Sequence, residues 1–182
     1  MLILNRMNLL VAVLLLAQAN CSLSIADEKP EPDAVQVVAL DDTAITFKIE
    51  QLRQLPRTSV EVADRTGKMV KYSGVAVHHL LAHMNAPLGE ELRGEALRCY
   101  VAVRAKDEYR VVFGLCEFDP IFTDRTILLA DEQDGKPLAE ENGPFQIIVP
   151  GEKRRARWVR QVTRIRVLES RVVDEDMPIS PK

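Results

Sequence analysis

The sequence has no Cys-x-x-Cys pair, no glycine-rich phosphate loop and no Ser-His-Asp arrangement, so enzyme motifs of a general type are missing. Aromatic residues make up only 5% of the chain and the formal net charge is −3, which leaves no global reason for a polyanionic partner and speaks against nucleic acid. The apolar run Leu9 to Ala17 falls well short of the roughly 20 residues that cross a bilayer. No internal repeat is evident. Cysteine is scarce: Cys21, Cys99 and Cys116 are the only ones, with none between residues 22 and 98.

What is present at the N-terminus reads as a secretory signal peptide. Arg6 is the only early charge, the apolar run follows, then small residues, then the acidic and Pro-containing stretch Asp27 to Asp33. Of the two small-x-small sites, Ala17-Gln18-Ala19 and Ser24-Ile25-Ala26, the second lies directly before the acidic stretch and is the preferred cleavage point. The expected organisation is a leader over 1–26, a flexible linker over 27–34, a single domain over 35–170 and a tail over 171–182. About 155 residues after cleavage suffice for one compact domain and no more. The expected location is the periplasm or the exterior, with no membrane span after cleavage. Lipidation at Cys21 is the less favoured alternative, because Gln18-Ala19-Asn20 is larger and more polar than the usual small-residue box.

Short strand patterns dominate the rest. Ile45–Ile49 alternates as a half-buried strand and Ile49–Leu55 as one helical turn stopped by Pro56. Val60–Asp64 and Met69–Tyr72 flank a Gly67-containing turn and read as a hairpin. Ser73-Gly74 is expected to open a helix in which Val77, Leu80, Leu81 and Met84 form one apolar stripe. Further strands are expected at Leu97–Arg104, Tyr109–Leu115, Ile127–Ala130, Phe145–Val149 and Thr163–Leu168. One good helix among many strands, without regular strand-helix alternation, argues for an α+β fold with a mostly antiparallel or mixed sheet. A two-residue turn at Asp107-Glu108 would set Cys99 opposite Cys116, so a disulfide between them and two half-buried free thiols both remain open.

The densest chemistry lies near the end. Lys153, Arg154, Arg155, Arg157, Arg160, Arg164 and Arg166 crowd one segment with no carboxylate after Glu152, which makes it the best candidate for an anion site, with Arg157 and Arg160 foremost. Arg164 and Arg166 alternate with Ile165 and Val167, as the solvated face of an edge strand would. His79 and His83 stand at i and i+4 opposite the apolar stripe, a spacing that suits one metal ion, although no third ligand is visible nearby. Tyr109 is placed at a strand start from which its hydroxyl could reach toward a site.

Taken in order, Tyr72-Ser73-Gly74-Val75, Asp107-Glu108-Tyr109, Leu128-Leu129-Ala130, Gly135-Lys136-Pro137-Leu138, Gly143-Pro144-Phe145, Val149-Pro150-Gly151 and Trp158-Val159-Arg160 resemble the molybdopterin-binding domain of sulfite oxidase-type enzymes. The resemblance spans roughly Val60 to Leu168. It implies that fold, a phosphate-bearing cofactor near Arg157, Arg160 and Tyr109, and a molybdenum-ligating thiolate ahead of Tyr72. Asp64 to Lys68 fill that interval without a cysteine, and a hard oxygen donor replaces soft sulfur poorly. Arg160 stands where the family carries a lysine, and Glu108 where its Asp-Gly-Tyr turn carries glycine. The leading expectation is therefore an exported binding module for a small anion or a periplasmic protein, with no cofactor. The competing one is a molybdopterin-dependent periplasmic oxidoreductase with an atypical ligand set, Cys99 being a weak candidate ligand. A third is an interaction subunit of a periplasmic sensing or redox complex.

Overall fold

A computed structural model describes residues 31, 33–64 and 66–170; the leader, Cys21, most of the 27–34 linker and the 171–182 tail lie outside them. Among the described residues the chain forms β1 (Ala34–Val38), β2 (Ala44–Lys48), α1 (Ile49–Leu52), β3 (Arg57–Ala63), β4 (Met69–Ala76), α2 (Val77–His83), β5 (Cys99–Ala105), β6 (Arg110–Gly114), β7 (Leu128–Gln133), β8 (Lys136–Pro137), β9 (Gln146–Ile148) and β10 (Val162–Glu169). Short 3-10 turns occupy Gly94–Arg98, Leu115–Phe118 and Arg155–Arg157. No described helix is long and apolar enough to cross a membrane.

Two mixed or antiparallel sheets carry the architecture, as the α+β expectation required. The first runs β2-β1-β10-β5-β6, and only its β1–β10 pair is parallel. The second runs β3-β4-β7-β8, with β9 also on β7. Alternation explains the packing: in β5, Cys99, Val101, Val103 and Ala105 point inward, and Ile165 and Val167 of β10 stand opposite Val103 and Val101. One buried cluster joins these residues to Val75, Leu128 and Leu129 of the second sheet and to Leu80 and Leu81 of α2. The apolar stripe of α2 is as read, with Val77, Leu80, Leu81 and Met84 all buried.

Three local expectations are corrected. The helix does not open at Ser73-Gly74, because β4 continues to Ala76. Gly74 is needed there for close approach: a Cβ would lie 2.0 Å from the Leu129 carbonyl oxygen. β10 is central in its sheet instead of at an edge, and Arg166 pairs with Asp42. Finally, the β5–β6 connection is a three-residue loop, Lys106-Asp107-Glu108, closed by Ala105 N–H donating to the Tyr109 carbonyl at 2.9 Å. Glu108 takes φ +70°, the left-handed position of such a loop. The register becomes Tyr100 opposite Gly114, so Cys99 no longer faces Cys116, which leaves the strand in a 3-10 turn. Both thiols are free.

The same close approach at Gly74 accompanies a bulge in β7. Ser73 pairs with Glu132 and Gly74 with Ala130, so Asp131 is left over. Its carboxylate, 3% exposed as a residue, accepts two hydrogen bonds from Arg57 at 2.7 and 2.8 Å. That fork, which nothing in the sequence singles out, fastens the edge strand β3 to the strand two places away.

Candidate functional site

The basic segment becomes a site because one aromatic residue folds it back. Trp158 is buried and its indole N–H donates to the Val149 carbonyl at 3.0 Å, which anchors the 3-10 turn before it. Tyr72 meets the Trp158 ring edge-on at 6.0 Å. On the other side Arg155 lies over the indole, its guanidinium carbon 4.4 Å from the ring centroid, while donating to the Ala63 carbonyl on the β3–β4 hairpin. Arg155 is thus a fixed positive charge.

Between this turn and the β5–β6 loop lies a cleft of about 550 Å³, lined among others by Tyr109, Arg155, Trp158, Arg160, Asp107 and Glu141. Tyr109 closes one side: its hydroxyl donates to the Ala156 carbonyl at 2.8 Å while the residue as a whole stays 48% exposed. Asp107 turns back on its own loop, accepting from Tyr109 N–H at 3.1 Å. Arg160 and Glu141 are exposed, and neither side chain has a hydrogen-bond or ion-pair partner among the described residues. The two therefore offer one free cation and one free anion at the same opening.

The structure brings Tyr109 and Arg160 together and leaves Arg157 out. Arg157 donates to both oxygens of Glu117 at 3.0 Å and from Nε to Glu152 at 2.7 Å, and it stacks 4.5 Å above Phe113. Glu117 also holds Arg125 at 2.9 Å. Burial works against the Glu117 charge, but hydrogen bonding and attraction from Arg157 outweigh it and hold the carboxyl below its usual range. A ligand at Arg157 would have to displace two carboxylates. Sequence reasoning named Arg155 only as one member of the basic cluster and Asp107 only as a turn residue, and it missed Glu141; for Arg155 the further signal was Trp158 three residues later, which can fold back onto the turn.

The histidines take other partners. His83 is exposed and meets Phe47 edge-on at 5.7 Å, while His79 stacks on His78 at 3.9 Å. Among the described residues no three His, Cys, Asp or Glu side chains converge as a metal site would require. Neither cysteine lines the cleft. Cys99 is 3% exposed on β5, and burial, reinforced by Glu169, pushes its thiol upward, away from the thiolate that ligates metal. In the β3–β4 turn, where the family's thiolate is expected, Asp64 accepts from Thr66 N–H, Thr66 Oγ1 and Lys68 N–H at 2.6 to 3.0 Å. Its hydrogen bonds to Thr66 hold that carboxyl low.

Comparison with known proteins gives matches of two kinds. The family model described as oxidoreductase molybdopterin binding domain matches residues 23–174. Among solved structures, the sulfane dehydrogenase SoxCD from Paracoccus pantotrophus superposes with a TM-score of 0.57 at 20% sequence identity, over 75% of this chain. The match spans 38% of that solved chain. At such identity the likeness concerns the fold. No curated protein matches the sequence.

Proposed function

Because this chain belongs to the oxidoreductase molybdopterin binding domain family, we propose that it is an exported member that has given up molybdenum catalysis and uses the fold to bind a small anion in the Arg160 cleft. The donor set carries this reading. Molybdopterin supplies redox chemistry through a metal that wants a soft thiolate from the protein. Here the turn that should offer sulfur holds Asp64 in a closed loop of hydrogen bonds, and Cys99 lies buried on another strand, where burial disfavours the thiolate. These residues do not fit the metal.

What the cleft can do is hold charge. The planar Arg160 fork suits a carboxylate, sulfate or phosphate oxygen pair, and it has no partner among the described residues whose ion pair would have to be broken. Arg155, clamped between Trp158 and the Ala63 carbonyl, adds positive potential without having to move. Tyr109 contributes an exposed ring whose hydroxyl is already satisfied, so it presents an apolar wall to the ligand.

The test is thermal unfolding of the mature protein in millimolar sulfate or phosphate, at fixed ionic strength. Ion-dependent stabilisation is expected in the parent, because a ligand that binds only the folded state raises its stability by mass action. It should vanish in Arg160→Ala and persist in Arg157→Ala, whose basal melting temperature falls. An equal ion response in Arg160→Ala overturns the site. No ion response, with a stable complex captured from periplasm, would favour the interaction-subunit reading.

A further inference from the structure

The cleft is not a simple anion site, because each sign of charge is represented twice. One member of each pair is committed: Arg155 to Trp158 and Ala63, Asp107 to its own turn. The other two, Arg160 and Glu141, have no side-chain partner among the described residues, and although both line the same cleft they form no ion pair with each other. A bare anion on Arg160 would leave Glu141 unpaired and would feel repulsion from both carboxylates. A ligand carrying both signs a short distance apart would pair with both groups, its ammonium offsetting the repulsion that the two carboxylates exert on its anionic end.

We infer that the cleft selects a small zwitterion of the α-amino-acid class, its carboxylate on Arg160, its ammonium on Glu141 and its side chain against the exposed Tyr109 ring. The inference rests on the reading of this cleft as a ligand site. The volume of about 550 Å³ is within the range of small-molecule pockets and too small for a folded partner. Wall chemistry agrees: Tyr109 has spent its hydroxyl on Ala156 and offers only its ring face.

Calorimetric titration of the mature protein separates the contributions when the probes are matched pairs. L-phenylalanine is compared with 3-phenylpropionate, and L-alanine with propionate, each pair differing only by the ammonium group; phenethylamine is the cation without the carboxylate. The amino acid of at least one pair should bind about fivefold tighter than its deaminated analogue, the factor that about 1 kcal/mol of partly exposed ion pairing supplies. In Glu141→Gln that gap should close while the deaminated acids keep their affinity. In Arg160→Ala both acids should weaken, and phenethylamine should be the poorest ligand of the parent. Deaminated acids or sulfate binding as well as the amino acids, or a gap that persists in Glu141→Gln, would overturn the zwitterion and leave the anion site standing. Failure of every probe, together with no response to sulfate or phosphate, would overturn the cleft as a ligand site altogether.

Discussion

Glu117 joins three parts of the chain: Arg157 from the basic turn, Arg125 from the loop before β7, and the Gly114 N–H at the end of β6, which donates at 3.0 Å. Since its folded carboxyl lies below the usual value, the folded state releases that proton more readily than the unfolded chain does. Its contribution to stability is therefore complete above the unfolded carboxylate value, about 4.3, and is lost as pH falls through the folded one. Chemical denaturation between pH 3 and 6 should show stability rising with pH, and Glu117→Gln should flatten that rise. An unchanged slope in the variant would remove Glu117 from the account. Arg157→Ala should cost about 2 kcal/mol at neutral pH, because it takes the ion-pair partner from Glu152 and leaves Glu117 with Arg125 and the Gly114 N–H alone. The sequence placed Arg157 with Arg160 as one basic cluster. Their separation was illegible because the deciding partners, Glu117 and Glu152, reach Arg157 through the tertiary fold, whereas no carboxylate among the described residues pairs with Arg160.

At the scale of elements, apolar alternation and turn residues were enough for most strands, for the hairpin around Gly67 and for the buried stripe of α2. What failed was register and position in the sheet. The alternation of β10 is the same whether it is an edge or a centre, and only its pairing with both β1 and β5 decides. At the β5–β6 loop, Glu at the left-handed position hid a three-residue connection, and the carboxylate is held there by Arg104 and Arg110. Gly74 was misread as a helix start because the close approach of Leu129 belongs to a strand far along the chain. The shifted register has a direct consequence for sulfur. A thiol reagent should modify half-buried Cys116 in the native protein and Cys99 only after unfolding. Absence of reactive thiol in the unfolded, unreduced protein would mean that the two are paired and the register is wrong.

Over the whole molecule, the fold is that of a molybdopterin-binding oxidoreductase domain, and the two cysteines among the described residues, Cys99 and Cys116, both lie outside the β3–β4 turn. The family pattern was legible in the order of turn and strand motifs, because these encode backbone geometry. The cleft was legible only in part, since Tyr109 and Arg160 are brought together by Trp158 and by the Tyr109 bond to Ala156. The most direct measurement is molybdenum content together with released-pterin fluorescence, on protein purified from cells shown to load a known molybdoenzyme. The account predicts that neither copurifies. Near-stoichiometric molybdenum and pterin, both lost in Cys99→Ser or Cys116→Ser, would contradict it.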